Sequence, residues 1–445
     1  MLQFISAALA SVLLSVVVPV TTTPQPDNSG RLADRQFLVT TPLGSGYARY
    51  FGTSSLDGDP AVTRAIVIVH GVLRDADYYY DTGVIAADAA HALNATLVIA
   101  PQFVEREDLS GHTVSPATLY WAGTWPGGSD AVAPAPISTY DVFDAIVARL
   151  SDSKRFPKLR EIVIAGHSAG GQIVQRYAVV GKSPGLDRGA RIPVHLIVSN
   201  PSSYFYFTDW RPIPQSHCPD FDEWRYGLKG APRYVTGTAA QLEARYVTRH
   251  VTYLMGTADT DPNEDDLDRS CGGESQGPNR FTRAKFYIAY IGRRHPGGTA
   301  QDYAFVENVP HDNRRMFASA CGLAAIFGGS RAACAEAGGV GSSSPMAGDD
   351  PPAAPPVYPG AVASKRPAGV GFKVPPAQAR TYATSDDFAK VRSWYRARLG
   401  AVQEVHQPGM EESEDAFLVG QGAGALVVFV QRYQGKTWII IGPPM

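Results

Sequence analysis

The sequence predicts an α/β fold: a doubly wound, mostly parallel sheet followed by a small C-terminal α+β unit. Three observations predict it. Short apolar, β-branched runs alternate with helix-like segments from residue 36 to about residue 330, the pattern of a parallel sheet with helical crossovers. Near Gly338 the composition shifts to Gly, Ser, Pro and Ala as far as Pro356, the signature of a linker. Behind that break, one amphipathic helical stretch precedes three strand-like runs.

In chain order, Arg35 to Thr40 reads as an early strand. There follow a strand at 65–70, a helix from about 75 to 93, a strand at 96–101 and a helix at 138–150. Then come a strand at 161–166, a helix at 169–180 and a strand at 193–199. Further on, His250 to Asp259 is a strand ending in G-x-x-D, residues 276–291 read as a helix, and Tyr303 to His311 is a short strand and turn before a helix at 313–317. The basic residues of the 276–291 helix, Arg280 and Arg283, read as a solvated face. Beyond the linker, residues 357–445 read as an accessory domain. Thr384 and Asp387 are spaced as a capping box, Phe388, Val391, Trp394, Tyr395 and Leu399 share a helical face, and strands are expected at 415–419, 425–431 and 436–441.

Chemistry concentrates at Gly166-His167-Ser168-Ala169-Gly170. The pattern G-x-S-x-G alone is a weak signal, with roughly 0.3 chance matches expected in a chain this rich in glycine. Its context is stronger: a buried strand precedes it and a helix follows, which makes a nucleophile elbow. Such a turn strains the serine backbone and leaves no room for Cβ atoms at Gly166 and Gly170. It also lifts the Ser168 hydroxyl clear of the sheet.

Here the chain resembles the α/β-hydrolase superfamily. Arg64 to Val69 is a strand leading into His70-Gly71, similar to the opening of that family's oxyanion loop, and the order Ser168, Asp259, His311 is similar to its triad order. The resemblance covers roughly residues 36–330, within a catalytic domain expected over 36–338 with cap insertions. It implies Ser168 as nucleophile, His311 as base and Asp259 as the acid that orients it, with Asp261 as an alternative acid. It implies an oxyanion hole formed by the N–H of Ala169 and that of Val72 or Leu73. His167 reads as packing, His70 as a brace for the oxyanion loop, His250 as structural and His295 as a loop residue.

The aromatic segments read in two ways: as the lining of an apolar acyl or aryl pocket, through Tyr79, Trp121, Trp125, Tyr204 and Trp210, or as ordinary packing of long loops. No cofactor and no metal is expected. The run from Asp259 to Asp266 begins like an EF-hand loop, but Glu264 stands where glycine is required and Ser270 where the closing Glu belongs. Net charge is −2 over 445 residues, so no nucleic-acid partner and no polybasic membrane contact is suggested.

Residues 1–22 contain an apolar run followed by a polar, proline-bearing spacer. They read as a secretory signal peptide, or as a membrane anchor if retained. Export makes Cys218, Cys271, Cys321 and Cys334 disulfide candidates. Four cysteines allow three pairings, and 218–271 with 321–334 is preferred. The expectation is a secreted serine hydrolase acting on a small-molecule or polymeric carboxylic ester. An amidase or peptidase of the same fold is the first alternative, and a non-catalytic binding protein the second.

Overall fold

The computed structural model of the chain describes residues 31–213, 218–334, 357–365, 367, 379–399, 403–405, 414–419 and 426–442. The N-terminal segment 1–22, the linker 339–356 and the glycines at 420, 422 and 424 lie outside the described residues.

Eight strands form the larger sheet: β1 (Arg35–Thr41), β2 (Gly44–Gly52), β3 (Arg64–Val69), β4 (Thr96–Gln102), β5 (Glu161–His167), β6 (Val194–Ser199), β7 (Val251–Gly256) and β8 (Gln301–Val306). Their order is β1-β2-β4-β3-β5-β6-β7-β8. β2 runs antiparallel to both β1 and β4, and the rest of the sheet is parallel. The crossovers are carried by α1 (Ala76–Ala89), α2 (Thr139–Leu150), α3 (Ala169–Val180), α4 (Ala239–Tyr246), a short α5 (Cys271–Glu274) and α6 (Arg280–Arg294), and α7 (Asn313–Phe317) and α8 (Ala320–Phe327) follow β8.

Helices cover both faces, so the central strands have no polar side and read as unbroken apolar runs. Alternate residues feed two cores. Ile162 and Ile164 of β5 pack with Val67, Ile173 and Tyr177 on one face, while Val163 and Ala165 pack with Ile66, Ile68 and Ala76 on the other. Strand order reverses between β3 and β5, and a parallel sheet opens a crevice at the carboxyl ends of such a pair.

Local chemistry sets the helix ends. The Ser138 hydroxyl accepts from the N–H of Tyr140 at 3.1 Å, while the Asp141 carboxylate accepts from the Ser138 N–H at 2.9 Å. The helix expected over 276–291 begins instead at Arg280, because Asn279 accepts from the Thr282 N–H at 2.9 Å and caps it there. β2 is an addition to the expected strands: its glycines suggest a loop, yet it completes the sheet between β1 and β4. Two disulfides are present, Cys218–Cys271 and Cys321–Cys334, the pairing preferred from sequence.

Among the described residues, the C-terminal part forms a six-stranded antiparallel sheet and one helix. Its strands are β9 (Val362–Ala363), β10 (Arg380–Thr384), β11 (Gln403–Val405), β12 (Glu414–Val419), β13 (Leu426–Tyr433) and β14 (Lys436–Gly442), in the order β11-β12-β13-β14-β10-β9. The helix, α9 (Phe388–Leu399), buries Phe388, Val391 and Tyr395 against Phe417, Val428, Val430 and Ile439. Two expectations are corrected. Six strands stand where three were expected, because β9, β10 and β11 are too short or too polar to show a period. The cap is Asp387, whose carboxylate accepts from the Ala389 N–H at 2.7 Å, whereas Thr384 bonds the N–H of Asp386. Among the described residues, no helix is long and apolar enough to cross a membrane.

Candidate active site

β5 ends at His167 and α3 starts at Ala169, leaving Ser168 alone at the corner with φ 59° and ψ −123°. A non-glycine residue at positive φ is strained and persists only when its surroundings over-determine it. Here they do. The Ser168 N–H donates to the Ser199 carbonyl at 3.1 Å, tying the corner to β6. A Cβ on Gly166 would lie 2.2 Å from the Gly170 carbonyl oxygen, and one on Gly170 would lie 2.2 Å from that of Val69. Both obstacles are backbone and cannot step aside. Gly170→Ala is therefore expected to cost about 3 kcal/mol of unfolding free energy, read as a lower urea midpoint at unchanged m-value.

β7 delivers a carboxylate. Asp259 follows it, 3% exposed, and its Oδ2 accepts from His311 Nδ1 at 2.7 Å. His311 itself comes from the turn between β8 and α7. The Asp259 carboxylate also accepts from the amide of Asn200, and Arg280 Nη1 lies 3.7 Å from its other oxygen. Burial alone would push the Asp259 carboxyl up. The His311 hydrogen bond and charge, with Arg280 and Asn200, outweigh burial and hold it below the usual carboxylate value. Asp261 is exposed and accepts from the Asn263 N–H at 2.8 Å. It is not joined to His311.

His70 braces the loop after β3. The Phe103 N–H donates to its Nε2 at 3.0 Å, so Nδ1 carries the proton and donates to the Gly71 carbonyl at 2.8 Å. Burial depresses its pKa to about 4, which keeps the ring neutral. Gly71, Val72 and Leu73 then form one wall of a cavity of about 240 Å³. Ser168, His167, His311, Tyr78, Tyr79, Asp75, Glu264, Asp266, Asp312 and Asn313 complete the lining. Ala169, at the first turn of α3, is buried beside it. The ring of His167 lies 4.3 Å from that of His311, centre to centre, and burial drives its pKa well down.

Two expectations fail at this cavity. Of the aromatic pocket candidates only Tyr79 lines it. Trp121 and Trp125 are 1% exposed in the core, where Trp125 stacks on Phe103 and meets His70 edge-on. Tyr204 stacks on Tyr287 and Trp210 on Tyr290. These rings satisfy their apolar surface against one another, and the cavity wall is left rich in carboxylates. Arg280 and Arg283 are likewise not solvated: both are 0% exposed. Arg283 donates to the backbone carbonyls of Gly277, Ser202 and Asp268, and Arg280 to Glu264 and Ser202. Buried cations persist when so paired.

Asn200, Glu264 and Arg280 are site residues that the sequence reading did not assign. Asn200 sits at φ 42° after β6, and its Oδ1 accepts from the Gly256 N–H at 3.0 Å. The Asn200-Pro201 pair marks a turn, but nothing local ties it to an acid 59 positions later.

Strand order and elbow together are those of the α/β-hydrolase fold. No protein-family model and no curated protein sequence matches the chain. Among solved structures it is similar to poly(aspartic acid) hydrolase-1 from Sphingomonas sp. KT-1, at 22% identity over 67% of this chain and 99% of that one, with a TM-score of 0.46. It is also similar to LpqC, a poly(3-hydroxybutyrate) depolymerase from Bordetella parapertussis, at 23% identity over 64% and 84% of the two chains, with a TM-score of 0.45. The siderophore hydrolase EstB from Aspergillus nidulans is 14% identical over 69% and 96%, with a TM-score of 0.35. The functional reading rests on the site geometry instead of these distant likenesses.

Proposed function

We propose that the chain is a serine hydrolase that cleaves a carboxylic ester through an acyl-enzyme. One observation carries the reading: a strained Ser168 and a His311 held by Asp259 at 2.7 Å line the same cavity. A serine hydroxyl needs an adjacent base. His311 takes the Ser168 proton as the oxygen attacks the ester carbonyl, and Asp259 stabilises the imidazolium. The N–H of Ala169 and that of Val72 or Leu73 hold the oxyanion, a donor of this kind being worth about 3 kcal/mol in the transition state. As the tetrahedral species collapses, the alcohol leaves with the proton from His311. Water then attacks the acyl group as His311 accepts its proton, and collapse releases the acid while His311 returns that proton to the departing Ser168 oxygen.

The two disulfides fit an oxidising compartment, which supports export. The C-terminal unit shows no comparable constellation among its described residues and is proposed as accessory. A panel of p-nitrophenyl esters and peptide anilides tests the reaction class. Ester turnover supports the reading, anilide preference points to an amidase or peptidase, and turnover of neither leaves a binding protein.

The pH profile has a defined sign. Burial, aided by Arg280, lowers the His311 pKa against the opposing pull of Asp259. Only the neutral imidazole is a base. Activity is therefore lost as pH falls through a value below the ordinary imidazole pKa of about 6.5. Stopped assays of kcat/KM from pH 4 to 9 should show a plateau already at neutrality, and an acid limb centred above 7.5 would exclude His311 in this environment.

A further inference from the structure

We propose that the cavity selects substrates bearing a positively charged nitrogen near the scissile carbonyl, with Asp75 as the specificity-determining residue. This deepens the serine hydrolase reading and rests on it. Four carboxylates line the cavity beside Ser168: Asp75, Glu264, Asp266 and Asp312. They are not equivalent. Glu264 is paired with buried Arg280. Asp312 caps α7 through the Arg315 N–H at 2.9 Å.

Asp75 is different. It stands at the start of α1 yet caps no helix N–H. The neighbouring cation, Arg74, is engaged with Asp108 at 2.6 Å and Glu105 at 3.3 Å. The charges that act on Asp75 are Asp77 and Asp266, both negative. Its carboxyl is pushed up to about 6 by burial first, against the hydrogen bond it accepts from its own backbone N–H, with those two neighbours adding to the rise. A part-buried carboxylate held among like charges gains from any cation brought to it.

Other parts of the wall point to the same ligand chemistry. Tyr78 and Tyr79 stand in it with ring centres 6.4 Å apart at 78°, and aromatic faces attract organic cations. The guanidinium of Arg314 already lies 4.4 Å from the centre of the Tyr78 ring. His167, 2% exposed in the wall, keeps Nε2 without a hydrogen-bond partner while Nδ1 lies 3.4 Å from the Tyr79 hydroxyl. A buried ring nitrogen left unbonded is costly, a cost that a substrate polar group would remove by displacing the atoms that now cover it.

A bare metal ion fits less well. Among the described residues, the one group of carboxylate and imidazole atoms close enough for a metal is Asp259, Glu264 and His311. Arg280 already bonds Glu264 and lies beside Asp259. Asp75, Asp266 and Asp312 line the same cavity without converging to metal-ligand spacing, as suits an ammonium or guanidinium group. At about 240 Å³ the cavity is below the roughly 300–1,000 Å³ of drug-sized sites, so the group is short.

The test uses the full chain and p-nitrophenyl esters matched in shape: the cationic 4-(trimethylammonio)butyrate, its neutral isostere 5,5-dimethylhexanoate, and the anionic monoadipate. In wild type, kcat/KM for the cationic ester should exceed that for the neutral one about tenfold, with the anionic ester slowest. Asp75→Asn should bring the cationic-to-neutral ratio towards one. Asp266→Asn, at an exposed position that folding tolerates, should lower it by a smaller factor. A wild-type ratio at or below one overturns the proposal while leaving ester hydrolysis standing. A ratio unmoved by Asp75→Asn overturns the assignment to that residue. Hydrolysis of none of the three esters sinks the hydrolase reading and this inference with it.

Discussion

Ser168→Ala is expected to lower kcat for p-nitrophenyl ester hydrolysis by about 10⁴-fold or more. In the proposed reaction the Ser168 oxygen forms the acyl bond, and among the residues lining the cavity none offers a second aliphatic hydroxyl or a thiol, the other hydroxyls being the phenols of Tyr78 and Tyr79. Alanine keeps the Cβ and meets the same positive φ, so the corner should survive. Its thermal midpoint should stay within a few degrees of wild type. Any residual turnover would come from binding and oxyanion contacts that the substitution spares. Retention of more than a tenth of wild-type kcat in a folded variant would remove Ser168 from the chemistry.

Asp259→Asn should cost about 10⁴-fold in kcat. An amide in that place no longer stabilises the imidazolium and can favour the wrong tautomer at His311. Its NH₂ could also face the Asn200 amide, donor against donor, where the carboxylate now accepts. Asp261→Asn is the internal contrast. That side chain is exposed and bonded to a loop N–H, so its loss should change kcat less than twofold. Steady-state rates on the pair decide the acid, and a larger loss at Asp261 would transfer the role.

Much of the larger sheet was legible because its strands are buried on both faces, which writes continuous β-branched runs such as Ile162 to Ala165 into the chain. β2 was not legible. Its nine residues include Gly44, Gly46 and Gly52, and its place is set by pairing with β1 and β4, not by its own composition. The elbow announced itself through glycines that only a steric clash explains. Arg280 and Arg283 misled for the opposite reason: a cation on an amphipathic helix looks solvated unless its partners are known. Those partners lie 6 to 81 positions away, from Gly277 to Ser202. Aromatic insertions misled in a similar way. A tryptophan signals burial, but only the folded chain reveals whether a ligand or another ring covers it.

The His70 bridge fastens the end of β3 to the start of the segment after β4. The loop it secures is in place before any ligand arrives. Its ordering entropy is met once, at folding, and not again in each turnover cycle. A tetrahedral adduct would thus enter a mould already set, with no rearrangement of the loop required before the first covalent bond forms.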